Sequence, residues 1–177
     1  MLHSYQKPLR GNVGIVFGSF APLHQGHLDL ILKAKKECDG GCIVIVDGRD
    51  NDRGGSEMPL KRRYRYVREF FADDDLVAVY AINETELGID AYPNGWSKFL
   101  DEINRIFSFA ATNGTPIFYV SEEEYYTYLT THGYDAIKID RNDNPISATM
   151  IRNNPIKYWD KITYPFRRVF STNILIC

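Results

Sequence analysis

Short apolar runs alternate along the chain with segments in which apolar residues recur every three or four positions. The runs have the length and composition of strands and cover residues 13–17, 42–46, 76–82, 117–120 and 134–139. The segments between them have the period of amphipathic helices, which begin near Gln25, after Pro59, at Trp96 and at Glu122. The chain therefore reads as strands and helices in regular alternation.

Alternating strands and helices are typical of an α/β fold with a parallel sheet. The strands show no clear apolar and polar alternation, which indicates a sheet that is buried on both faces. We therefore predict a Rossmann-like, doubly wound parallel sheet of about five strands. In such a sheet, ligands bind beyond the carboxyl ends of the strands, where the strand order reverses.

Composition narrows the class of protein. The 177 residues are 44% hydrophobic, which suffices for one well-buried domain. A net charge of -2 argues against nucleic acid or an anionic membrane as the main partner of this chain. Three cysteines without a second ligand pair argue against a zinc site, so no protein metal site is expected. No signal peptide or membrane-length apolar run is visible, so we expect a cytoplasmic protein.

Residues 18–27 read Gly-Ser-Phe-Ala-Pro-Leu-His-Gln-Gly-His, directly after the first predicted strand. A helix that begins here would direct its unpaired backbone N–H groups and its positive dipole end at the loop, where Gly18 lets an anion approach closely. His24 and His27 are three residues apart and can donate together to one phosphate chain. The alternatives are a pair of capping histidines and, for Gly18 and Gly26, ordinary turn glycines.

A second helix start follows the fifth predicted strand and reads Ile-Ser-Ala-Thr-Met-Ile-Arg over residues 146–152. Ser147 is placed to cap this helix, and Thr149 and Arg152 share a face. The guanidinium of Arg152 can bind phosphate oxygens in a forked geometry. Two anion-binding helix starts in one small domain suggest a triphosphate ligand.

These two segments resemble the HxGH and ISxTxxR signatures of the HxGH nucleotidylyltransferases. Within that superfamily, residues 92–96 (Tyr-Pro-Asn-Gly-Trp) and 155–159 (Pro-Ile-Lys-Tyr-Trp) resemble the nicotinamide-nucleotide adenylyltransferase domain of NadR-type bifunctional proteins. The resemblance covers residues 13 to about 176. It implies a nucleotidylyltransferase-type fold and adenylyl transfer from ATP to nicotinamide mononucleotide, giving NAD and pyrophosphate, with Mg2+ held mainly by ATP phosphates and water.

The resemblance also assigns roles to individual residues. It implies catalytic roles for His24, His27 and Arg152, and it places the ATP phosphates against a set of loop and helix-start residues: Gly18, Ser19, Phe20, Gly26, Arg63, Ser147 and Thr149. For Arg63, a solvated salt bridge is an equal alternative. Ser121 and Arg141 follow two strands and are expected to line an adenosine pocket.

Two further residues concern the acceptor. Trp96 is expected to stack on the nicotinamide ring, although its position on the apolar helix face also fits a core tryptophan. Asn94 would pair with the ring carboxamide, and its alternative role is a simple N-cap. One departure from the family pattern is Ser19, where many NadR-type domains have lysine. One positive charge that would contact the triphosphate is then either absent or supplied by Arg53, Lys61 or Arg63.

The predicted boundaries are a leader at residues 1–12, the nucleotidylyltransferase domain at 13–171, and a segment at 172–177 that resembles the start of a following kinase domain. That last segment looks like a strand, but the phosphate loop of a kinase is missing. Two alternatives stay open: another acceptor, such as nicotinate mononucleotide, phosphopantetheine or glycerol phosphate, and a non-catalytic module that senses NAD or ATP within a regulator. The sequence leaves open whether the chain forms a homo-oligomer.

Overall fold

The structure is a computed structural model and describes residues 8–49, 57–140 and 145–174. The strands in chain order are β1 (Leu9–Arg10), β2 (Val13–Gly18), β3 (Cys42–Gly48), β4 (Val77–Asn83), β5 (Ala111–Thr112), β6 (Pro116–Val120) and β7 (Ala136–Lys138). The helices are α1 (Gln25–Glu37), α2 (Leu60–Phe70), α3 (Glu84–Leu87), α4 (Trp96–Ala110), α5 (Glu123–Thr131), α6 (Ala148–Asn153) and α7 (Tyr164–Ile174), with a 3-10 turn at Trp159–Lys161.

The main sheet has five parallel strands, as predicted, and their order is β4-β3-β2-β6-β7. Successive strand residues point to opposite faces, and both faces are covered. Val16 and Val44 pack in one apolar cluster with α1, α2 and α7, whereas Ile15 and Ile43 pack in a second cluster with α4 and α5. This double burial explains why the strands are continuously apolar.

The chain first builds outward from β2 through β3 to β4, and then returns to add β6 and β7 on the other side of β2. The strand order therefore reverses between β2 and β6, which is where doubly wound sheets bind ligands. α1 begins after β2, and α6 begins in the segment that follows β7. No helix in the described residues is long and apolar enough to cross a membrane.

Three local predictions differ from the structure. Part of the predicted leader is a strand, because β1 pairs in parallel with β5 about a hundred residues away in sequence. The segment between the strand predicted at 76–82 and the helix predicted to begin at Trp96, to which the apolar pattern gives no element, contains the short helix α3, which Asn83 caps through its side chain. Residues 172–174 belong to helix α7 and do not form a strand, while residues 175–177 lie outside the described chain.

Candidate functional site

His24 and His27 form a reciprocal cap at the start of α1. His24 is extended (φ -138°, ψ 173°), and its Nδ1 accepts from the backbone N–H of Gly26 at 3.1 Å. His27 Nδ1 accepts from the backbone N–H of His24 at 3.4 Å. The two imidazole centroids lie 3.8 Å apart, with 30° between their planes. The helix-capping alternative is therefore correct for both histidines, and their donation to a phosphate chain stays a prediction.

The cap determines which ring nitrogen carries the proton. A nitrogen that accepts a hydrogen bond is unprotonated, so each neutral imidazole has its proton on Nε2. Each ring is then an N–H donor through Nε2, and the two donors stand side by side at the N-terminus of a 13-residue helix. Because that helix end also carries positive dipole charge, this arrangement is suited to an anion.

The two glycines of the first motif have different roles in packing. A Cβ on Gly26 would lie 3.2 Å from His24 Cε1 and 3.4 Å from Ile146 Cγ2, so a side chain there would press on the capping histidine. A Cβ on Gly18 would lie 3.6 Å from the Phe20 ring, which is an ordinary contact. A Cβ at position 26 would therefore force its neighbours to shift by a few tenths of an ångström, whereas position 18 has room for a Cβ.

Arg63 is fully buried, which makes the predicted solvated salt bridge wrong. Its guanidinium donates to the backbone carbonyls of Ser19 (2.6 Å), Met58 (3.0 Å), Asp47 (2.8 Å) and Arg49 (3.2 Å). These contacts account for four of its five N–H donors, so they do not support the predicted phosphate contact. The sequence does carry a signal for this burial, since Arg63 falls on the same helix face as Leu60 and Val67, which are also buried.

Arg152 brings the two motifs together. Its Nη1 donates to the carbonyl of Ala21 at 2.6 Å, and its Nη2 donates to Thr149 Oγ1 at 3.1 Å. Ser147 caps α6 as predicted, because its Oγ accepts from the backbone N–H of Met150 at 3.2 Å. The loop after β2 is thereby joined to the start of α6, although the two segments are about 130 residues apart in sequence.

Trp96 lies in an aromatic cluster and is only 5% exposed. Its ring contacts Tyr125 and Tyr128 at centroid distances of 5.0 and 4.9 Å, and Phe17 at 5.9 Å. Tyr92, which is 39% exposed, packs on it edge to face at 5.4 Å. The structure thus supports the core alternative, and stacking of Trp96 on a ligand would require this cluster to open.

The other predicted contacts vary in outcome. Asn94 is exposed and is not the N-cap of α4, because Gly95 occupies that position. Ser121 directly follows β6, and its hydroxyl donates to Glu122 at 2.9 Å. Arg141 and Arg53 lie outside the described residues. The backbone carbonyl of Ser19 accepts a hydrogen bond from Arg63, so Ser19 contributes to this site through its backbone.

Metal ligands are not clustered in the part of the chain that is described. Among residues 8–49, 57–140 and 145–174, no group of three or more His, Cys, Asp or Glu side chains is placed to hold a metal ion. The Nε2–H groups of His24 and His27 and the guanidinium of Arg152 are donors, which suit phosphate oxygens.

A family model described as cytidylyltransferase-like matches residues 15–154, which include both motifs and most of the main sheet. The chain belongs to the cytidylyltransferase-like family. This assignment and the observed sheet confirm the predicted nucleotidylyltransferase type of fold.

The resemblance to NadR is also confirmed. The chain is 29% identical over 174 residues to the trifunctional NAD biosynthesis/regulator protein NadR of Salmonella typhimurium, covering 93% of this chain and 42% of that protein. It is 38% identical to NadR protein in two crystal structures, one in complex with NR (TM-score 0.81, 92% of this chain and 46% of that chain) and one in complex with NAD and AMP-PNP (TM-score 0.80, 93% and 48%). The chain thus spans less than half the length of these relatives.

Proposed function

We propose that this chain is a nucleotidyltransferase of NAD metabolism that transfers the adenylyl group of ATP to nicotinamide mononucleotide, forming NAD and pyrophosphate. The observation that carries this proposal is the pair of capping histidines at the start of α1, both Nε2–H donors, together with Arg152 of α6, which binds the Ala21 carbonyl in the loop before α1. The similarity to NadR supports it, because one NadR structure is a complex with NAD and AMP-PNP.

In this reaction a phosphate oxygen of the mononucleotide attacks the α phosphorus of ATP in line with the departing pyrophosphate. The attacking phosphate is already ionised at neutral pH, so the reaction needs no general base to generate the nucleophile. The chain therefore has two tasks, which are to align the substrates and to stabilise charge on the leaving group.

The site residues divide these tasks. His24 and His27 would donate from Nε2 to the oxygens of the triphosphate, where negative charge grows as pyrophosphate departs. Arg152, which is positioned by Ala21 and Thr149, would bind oxygens of the same chain. Because the hydrogen bond from Arg152 to Ala21 joins the loop before α1 to α6, the triphosphate would lie between α1 and α6.

Magnesium would be held by phosphate oxygens and water, because Mg2+ at nucleoside triphosphates usually keeps several waters and binds through the phosphates. When bound, it would neutralise part of the charge on the triphosphate.

The choice of nicotinamide mononucleotide rests on the NadR resemblance, since Trp96 is buried in this structure. The test is a pyrophosphate-release assay with ATP and a panel of acceptors: nicotinamide mononucleotide, nicotinate mononucleotide, phosphopantetheine and glycerol phosphate. We expect release with the first acceptor and NAD as the product. Release with another acceptor only would change the substrate, and nucleotide binding without any release would favour a sensor module.

A further inference from the structure

The buried guanidinium of Arg63 gathers four backbone carbonyls from separate segments. Ser19 follows β2, Asp47 and Arg49 lie at the end of β3 and just after it, and Met58 precedes α2. A guanidinium stays charged in proteins, so its burial is tolerated only with its donors satisfied. Arg63 therefore ties the carboxyl ends of β2 and β3 to the start of α2.

One of these carbonyls, that of Ser19, directly precedes a residue with a strained backbone conformation. The hydrogen bond to Ser19 O, at 2.6 Å, fixes the peptide that enters Phe20. Phe20 has φ +46°, a left-handed conformation that is unfavourable for a residue with a Cβ and persists only where its surroundings hold it. Its ring is 1% exposed and meets the His27 ring edge to face, with 5.0 Å between centroids.

These contacts form one path from α2 to the phosphate donors. Arg63 holds the Ser19 carbonyl, the fixed peptide holds Phe20 in its strained conformation, and the Phe20 ring packs against His27. The His27 ring also belongs to the histidine cap, in which its Nδ1 accepts from the backbone N–H of His24. A change at Arg63 should therefore reach the imidazoles without any contact between Arg63 and the substrate.

We infer that Arg63 is a positioning residue: through the Ser19–Phe20 peptide it sets the orientation of the His27 ring that the proposed adenylyl transfer uses. This inference rests on the proposed function for its kinetic consequence, but its structural part concerns the imidazoles alone. It also replaces a direct phosphate contact as the reason for an arginine at this position.

Arg63→Lys tests the inference because it keeps the charge but has only three donors on a single nitrogen, which cannot reach all four carbonyls. Arg65→Lys is the matched control, an exposed arginine on the same helix. The first readout is the imidazole nitrogen NMR spectrum of the full chain labelled in its four histidines. We expect the His24 and His27 resonances to move in Arg63→Lys, with loss of the Nε2–H tautomer in part of the population, while His132 stays unchanged.

The second readout is kinetic. We expect Arg63→Lys to lower kcat at least 10-fold with a smaller change in KM for ATP, and we expect this loss to disappear in a His27→Ala background because the effect acts through that ring. Unmoved His24 and His27 resonances in folded Arg63→Lys would overturn the inference, as would a kcat loss of equal size with and without His27. Absence of turnover in the wild type would refute the proposed function separately, and the NMR result would still decide the role of Arg63.

Discussion

Replacing Trp96 by alanine distinguishes a core role from a ligand contact, because the first predicts a large fall in Tm and the second predicts a selective rise in KM for the mononucleotide. The indole is 5% exposed and packs against Phe17, Tyr125 and Tyr128. Truncating a buried tryptophan to alanine costs about 3 to 5 kcal/mol through lost burial and the cavity left behind. In a chain of this size each kcal/mol lowers Tm by about 2 to 4 °C, so we expect a fall of roughly 6 to 20 °C.

The assay is thermal unfolding followed by circular dichroism, together with KM for ATP and for the mononucleotide well below Tm. Trp159→Ala is the control, since the second tryptophan of the chain is partly exposed and its removal should cost less stability. If Trp96 is a core residue, we expect Trp96→Ala to leave both KM values nearly unchanged, because a loss of folded protein lowers the apparent kcat and not KM. A Tm within about 3 °C of the wild type, combined with a selective rise in KM for the mononucleotide, would refute the packing argument and restore the stacking role.

Gly26→Ala should lower kcat about 10-fold or more with Tm reduced by only a few degrees, because the added Cβ presses on the His24 ring at 3.2 Å. A crystal structure or imidazole NMR spectrum of the variant in which the histidine rings have not moved would contradict this reason. Arg152→Ala should raise KM for ATP and lower kcat together, since it removes a phosphate donor and also the 2.6 Å hydrogen bond to Ala21; unchanged values of both constants would exclude a triphosphate contact. Stability should fall as the pH rises above about 9, because burial raises the pKa of the Cys42 thiol in the folded protein. The unfolded chain then loses this proton at a lower pH than the folded chain and is stabilised by the loss. A Tm that stays constant between pH 8 and 11 would contradict this expectation.

The sequence was sufficient to predict the sheet. The five main strands coincide with predicted apolar runs, of which the central strands β2 and β3 are buried on both faces, and such runs are visible without any knowledge of pairing. The strands β1 and β5 have two residues each and are joined across about a hundred positions, so no periodicity could reveal them. The short apolar run within residues 172–177 indicates a strand and the end of a helix equally well, and residues 172–174 belong to α7.

In the candidate site, too, local sequence predicts some contacts and not others. The caps at His24 and Ser147 follow from local sequence, because capping residues act within three positions of a helix start. Contacts that join distant segments do not follow from it, and the bond from Arg152 to Ala21 is one of these. The run of charges around Arg63 indicates a phosphate contact or a solvated salt bridge equally, whereas its spacing from Leu60 and Val67 indicates the buried face that the structure shows.

The measurement that tests the central proposal most directly is NAD formation from ATP and nicotinamide mononucleotide, compared between the wild type and His27→Ala. We expect the wild type to form NAD and pyrophosphate in equal amounts. We expect His27→Ala to stay folded and to turn over about 100-fold more slowly, because a donor aimed at developing charge is worth several kcal/mol. No NAD from the wild type, or equal turnover by the folded variant, would contradict the assignment of adenylyl transfer to the histidine pair.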